Sequence, residues 1–245
     1  QIQRALNLEQ IDKTEDARQA LGDLIAKNPE DLEALQALGN IQRARKMFAE
    51  AAETYSRALA LVRDPGPQHW IYFYFRGIAL ERTKQWAKAE ADLKKALELI
   101  PENNARGRAQ VLNYLGYSWV DQGINLEQGL ELVKKAVELT PEDGYIVDSL
   151  GWAYYRMGRY EEAVVELERA IELKPEDPVI NDHLGDAYWR AGRQLEARFQ
   201  WNHARDMKPE PDDLPRILDK IANGLTDSPV QTTRNTGEPP APKPN

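Results

Sequence analysis

Residues 147–175 read VDSLGWAYYRMGRYEEAVVELERAIELKP, and this stretch decides the fold. Val147, Leu150, Gly151 and Tyr154 fall at i, i+3, i+4 and i+7, one face of a first helix. Ala163, Leu167, Ala170 and Ile171 fall at i, i+4, i+7 and i+8, one face of a second. A glycine inside a helix costs about 1 kcal/mol relative to alanine, so Gly151 needs a compensating reason. Close approach of the two helices supplies it. Gly151 and Ala163 are small where the helices cross, and the large residues beside them fill the grooves. A bulky residue at either point would overpack the crossing, at about 1–3 kcal/mol. Pro175 ends the unit by disfavouring helix in the residue before it. Glu176 and Asp177 then favour the next helix start.

The device recurs. Gly151 and Gly185 are 34 residues apart, as are Pro141 and Pro175, and Pro175 and Pro209. The second copy places Asn181, Leu184, Gly185 and Tyr188 on one helix and Ala197, Trp201 and Ala204 on the next. Upstream copies run through Leu112, Leu115, Gly116, Gly129, Val133 and Ala136, through Phe73, Gly77, Ala89, Leu93 and Ala96, and through Leu35, Leu38, Gly39, Ala51, Tyr55 and Ala58. The copy at Gly116 carries one extra turn residue and has Gly129 where alanine is usual. Connections lengthen at RDPGPQ (63–68) and ENNARGR (102–108). A 34-residue period with these positions resembles the tetratricopeptide repeat. The resemblance implies an all-α superhelical solenoid of antiparallel helix pairs. It divides the chain into a truncated N-terminal repeat over 1–30, about five repeats over 31–210, a capping helix over 211–224 and a disordered Pro-rich tail over 225–245. Ala17, Leu21, Leu24 and Pro29 read as the second helix of the truncated unit. In the capping helix Asp213 is placed to cap, Pro215 to open, and Ile217, Leu218 and Ile221 to form an apolar stripe.

The bulk properties narrow the function. The net charge of −8 argues against a nucleic-acid partner. The absence of cysteine excludes disulfides and thiol chemistry without choosing a compartment. No apolar stretch reaches the ~20 residues of a membrane span. The chain begins at Gln1 without a signal peptide and reads as a fragment of a longer protein. His69, His183 and His203 show no metal-ligand spacing, and no nucleotide loop or nucleophile elbow occurs. The expectation is a non-enzymatic chain without cofactor or metal.

By the same resemblance, the concave face is lined by the first helix of each pair. Counting from each glycine, positions −6, −3, +1, +4 and +5 point into it. The candidate protein-binding residues are Tyr117, Asp148, Trp152, Tyr155, Arg156, Asp182, Asp186, Trp189 and Arg190. Aromatics and arginine dominate interface energetics; the same aromatics also serve to pack adjacent repeats. The −3 positions hold Tyr74, Asn113, Asp148 and Asp182, and two aspartates would repel a peptide carboxylate, which argues against a carboxylate clamp.

Residues 111–205 resemble more narrowly the C-terminal repeats of bacterial cell-envelope tetratricopeptide proteins. The carrying residues are Asn113-Tyr114-Leu115-Gly116-Tyr117, Asp148-Ser149-Leu150-Gly151-Trp152, Tyr155-Arg156 and His183-Leu184-Gly185-Asp186. That family includes a lipoprotein adaptor of a periplasmic carboxyl-terminal processing protease. The resemblance implies a scaffold in the periplasm or on the periplasmic face of the outer membrane, with a protein or peptide partner such as that protease and its substrates. Two other readings stay open: a structural module of a secretion or polysaccharide-export assembly, and the regulatory repeat domain of an enzyme.

Overall fold

The computed structural model describes residues 1–226. Among the described residues there are thirteen α-helices, one 3-10 turn and no strand. The helices are α1 (Ile2–Gln10), α2 (Thr14–Lys27), α3 (Leu32–Ala44), α4 (Phe48–Ala60), α5 (Trp70–Arg82), α6 (Trp86–Leu99), α7 (Ala105–Asp121), α8 (Leu126–Leu139), α9 (Gly144–Arg156), α10 (Tyr160–Leu173), α11 (Pro178–Arg190), α12 (Gln194–Asp206) and α13 (Leu214–Asn223). They form six antiparallel pairs and a final single helix. The expected tail lies, from Asp227 onward, outside the described residues.

One backbone device closes the turn inside every pair. Asp12, Lys46, Lys84, Gly123, Gly158 and Gly192 each have positive φ. The amide that follows donates back to a carbonyl five residues upstream, as in Gln85 N–H to Leu80 O at 2.8 Å and Arg159 N–H to Tyr154 O at 2.9 Å. This satisfies carbonyls that the helix end leaves bare. Between pairs the helix starts are capped by Asp31, Asp143 and Asp177, whose carboxylates accept backbone amides.

Two compact units divide the chain, Gln1–Asn104 and Ala105 onward. The first contains three pairs. The truncated repeat has both of its helices, since α1 precedes the expected α2. Gly39 lies where an added Cβ would stand 2.7 Å from the Tyr55 ring, and at Gly77 it would stand 3.0 Å from Leu93 Cγ. The RDPGPQ connection ends in a 3-10 turn, Pro67–His69, where His69 Nδ1 accepts the Gly66 amide at 3.0 Å.

The second unit contains three pairs and α13. Gly151 packs against Leu167, whose Cγ would lie 2.5 Å from an added Cβ, and Gly185 packs against the indole of Trp201. At the α7–α8 crossing both sides are glycine: an added Cβ on Gly116 would meet the Gly129 carbonyl at 2.6 Å. Here Gly129 replaces alanine because backbone meets backbone. The extra turn residue is present, with 122–125 joining α7 to α8 where 157–159 and 191–193 join the later pairs. The expected long connection at 102–108 is shorter than read: α7 already begins at Ala105 and runs 17 residues. Asp213 does not cap α13. Its own backbone is helical, and its carboxylate turns to Arg216 at 3.3 Å. Of the expected stripe, Ile217 is buried and Ile221 half-buried, but Leu218 is 46% exposed.

Candidate protein-binding surface

The candidate surface lies in the second unit, on the first helices α7, α9 and α11 and on α13. Each of the three first helices uses its glycine-bearing face against its own partner helix. The adjoining flank meets the next first helix, and there the sequence sets acids against bases about one repeat apart. Arg156 Nη1 donates to Asp121 at both its backbone carbonyl (2.8 Å) and its Oδ1 (3.0 Å). The Asp148 carboxylate lies 2.9 Å from His183 Nδ1. Arg216 and Lys220 reach Asp182 at 3.0 and 2.9 Å, and Lys220 also reaches Asp186. Trp201 Nε1 donates to Asp186 Oδ1 at 2.9 Å. Thus α13 takes the place of the first helix of a further repeat.

Four carboxylates therefore face four bases, and the charges cancel only with His183 protonated. Burial opposes charge on His183, but Asp148, then Asp182 and Asp186, outweigh it and raise its pKa above the ordinary 6.5. Burial likewise raises Asp186, and Lys220 only partly offsets that. For Asp182 the order reverses: burial pushes the carboxyl up, but Lys220 and Arg216 together hold it below its ordinary value. Such pairs are costly to desolvate and costlier still to break, which makes this flank a rigid joint between repeats.

Aromatic rings continue the joint. Trp152 stacks on His183 at 4.1 Å between centroids and on Tyr155 at 4.7 Å. Trp189 packs against Trp201 at 5.4 Å, with the Arg198 guanidinium 5.3 Å from its ring. Arg190 donates to the Thr226 carbonyl at 3.0 Å.

Of the nine candidates, Tyr117, Asp148, Tyr155, Asp182 and Asp186 are buried. Trp152, Trp189 and Arg190 are half-buried, and the Arg156 side chain is 8% exposed. The expectation that all nine point into an open groove is corrected accordingly. The counted offsets locate the side of the helix correctly, but much of that side is covered by the next first helix. His183, Arg216, Lys220 and Asp121 belong to the same constellation and were not among the candidates. Their signal is the spacing itself: Asp121 to Arg156 and Asp148 to His183 at 35 residues, Asp182 to Arg216 and Asp186 to Lys220 at 34.

Among the described residues no group of His, Asp and Glu could hold a metal ion, and no helix is long and apolar enough to cross a membrane.

Family models described as tetratricopeptide repeat match residues 2–66 and 48–104, and one described as TPR repeat matches residues 151–192. A TPR repeat-containing protein of Pseudomonas aeruginosa is 34% identical over 97 residues, which is 40% of this chain and 16% of that protein. BBSome complex member BBS4 of Bos taurus is 30% identical over 131 residues, 51% of this chain and 23% of that one. The chain thus spans less than a quarter of the length of these relatives. Among solved structures, YrrB, a TPR protein with an unusual peptide-binding site, superposes with a TM-score of 0.54 at 20% identity, over 82% of this chain and 98% of its own. The Cut9–Hcn1 hetero-tetramer gives a TM-score of 0.74 at 15% identity, over 90% of this chain and 42% of that one. The 34-residue period, the glycine crossings and these matches agree: the chain belongs to the tetratricopeptide-repeat family.

Proposed function

We propose that the chain is a scaffold of the bacterial cell envelope, on its periplasmic side, that holds a protein partner such as a carboxyl-terminal processing protease together with its substrate. Tetratricopeptide-repeat proteins generally mediate protein–protein interaction. The observation that carries the reading is the half-buried row Trp152, Trp189 and Arg190, seated on a joint that the buried ion pairs keep stiff. Aromatic and arginine side chains already immobilised lose little entropy on binding. Holding two chains on one frame raises their effective concentration. The Pseudomonas relative and the peptide-binding site in the name of YrrB support the reading. The 30% identity to BBS4 favours a second one, a module within a larger assembly.

The test is cleavage of a periplasmic substrate by the processing protease, with and without the chain. A rate increase that Trp152→Ala abolishes, while helicity by circular dichroism is kept, is expected. No increase, or an increase this substitution leaves untouched, refutes it.

A further inference from the structure

Beyond α13 the chain turns back onto the candidate surface. Gly224 has φ +74, and a Cβ there would stand 2.1 Å from Trp189 Cζ2 and Cη2, the outer edge of the indole. A side chain would collide with that edge, and only glycine adopts that backbone readily. Leu225 packs with the core cluster of the last repeats. Thr226 presents its carbonyl to Arg190 at 3.0 Å. Residues 224–226 form neither helix nor strand. An indole edge against a glycine and a guanidinium on a main-chain carbonyl hold the segment through its backbone, and the side chain of Leu225 between them packs on the core.

We propose that residues 224–226 are a ligand in cis: they fill the Trp189–Arg190 end of the binding surface, and an extended segment with a small residue over Trp189 binds there only by displacing them. This rests on the reading of that surface as a protein-binding face, and it adds that its last position is self-occupied. Trp152, one repeat earlier, is half-buried and offers the partner a second ring.

The test uses the full chain and its Gly224→Val variant, with the Trp189 indole resonance followed by NMR and assigned through Trp189→Phe. The probe is the capped peptide NGLTDSP, residues 223–229. In the variant the branched side chain expels the segment, the Trp189 resonance shifts, and the peptide in trans shifts it back. A tethered segment competes at an effective concentration on the order of millimolar or above, so the wild type binds the peptide at least about tenfold more weakly. Equal binding to the two chains, or no binding to a natively folded Gly224→Val chain at millimolar peptide, overturns the proposal. Arg190→Met, which leaves the α13 cap in place, provides the second arm. It should speed amide exchange at Leu225 and Thr226 at least tenfold while Ile217 keeps its protection; unchanged exchange is evidence against cis binding. Neither arm involves the protease, so failure here leaves the scaffold reading standing, and failure there leaves this one.

Discussion

Lys220 holds two buried carboxylates at once, and replacing it with methionine isolates the energetics of the terminal joint. Its ammonium lies 2.9 Å from both oxygens of Asp182 and 2.8 Å from Asp186 Oδ2, and all three side chains are at most 8% exposed. Solvent screening is therefore slight. Removing one partner of a buried pair costs about 3–5 kcal/mol, because the other charge is left unpaired. The two acids do not lose equally. Asp182 keeps Arg216, whereas Asp186 keeps only the Trp201 indole N–H. The loss thus concentrates on Asp186, whose carboxyl burial already holds above its ordinary value.

Repeat arrays need not unfold in one step, so the measurement is amide exchange along α13. Lys220→Met should reduce protection there by about 10²- to 4 × 10³-fold at pH 7, from about 3–5 kcal/mol at 1.4 kcal/mol per decade. Without the ammonium, burial and Asp182 both raise Asp186 further. A group whose folded pKa is raised favours the folded state as pH falls, so the defect should shrink toward pH 5. Adding Asp186→Asn should recover most of the protection. A loss below about 1 kcal/mol, or one that is flat between pH 5 and 8, would refute the buried-charge account.

His183 makes the wild-type joint pH-dependent in the opposite setting. It faces Asp148 and Trp152 on α9 and feels Asp182 and Asp186 on its own helix and Asp121 on α7. Its folded pKa is raised, so its contribution is fully present below about 6.5 and is lost as pH rises through the folded value. Denaturation of the second unit should show stability falling through that window, and His183→Gln should flatten the fall. In the first unit, Lys84 occupies the left-handed turn position that Gly192 fills in the second. Lys84→Gly should raise stability by about 0.5–1 kcal/mol, and Gly192→Lys, with nothing within 4 Å of the added Cβ, should lower it similarly, both read from melting curves.

The helix pairs were legible because their determinants are local and periodic. Gly39, Gly77, Gly116, Gly151 and Gly185 each abut a side chain or carbonyl of the partner helix, as the small-residue pattern requires. Gly129 shows the rule at its limit, with two backbones touching. Local choices between competing hydrogen bonds were not legible. Asp213 is a competent cap by type, yet Arg216 three residues on takes its carboxylate. The stretch ENNARGR looked like a connection because Asn and Gly weaken helix, but Ala105 onward is held by the packed turns that follow. The division after Asn104 falls within that same stretch.

The candidate site was half legible for a different reason. An offset from the glycine fixes which side of a helix a residue occupies, but burial on that side depends on a residue one repeat away. The case of the carboxylate clamp shows what this changes. By type Asp148 and Asp182 would repel a peptide carboxylate, yet each is paired, with His183 and with Arg216 and Lys220. Charge alone would not repel an anion there. What excludes it is access: both aspartates are at most 3% exposed, sealed between successive first helices. The acids and bases of this face are spent on one another, and a partner meets the residues that this pairing leaves at the surface. A partner therefore meets Trp152, Trp189 and Arg190 and not the aspartates or Arg156, and the segment at Gly224, which carries no charge, lies against that face.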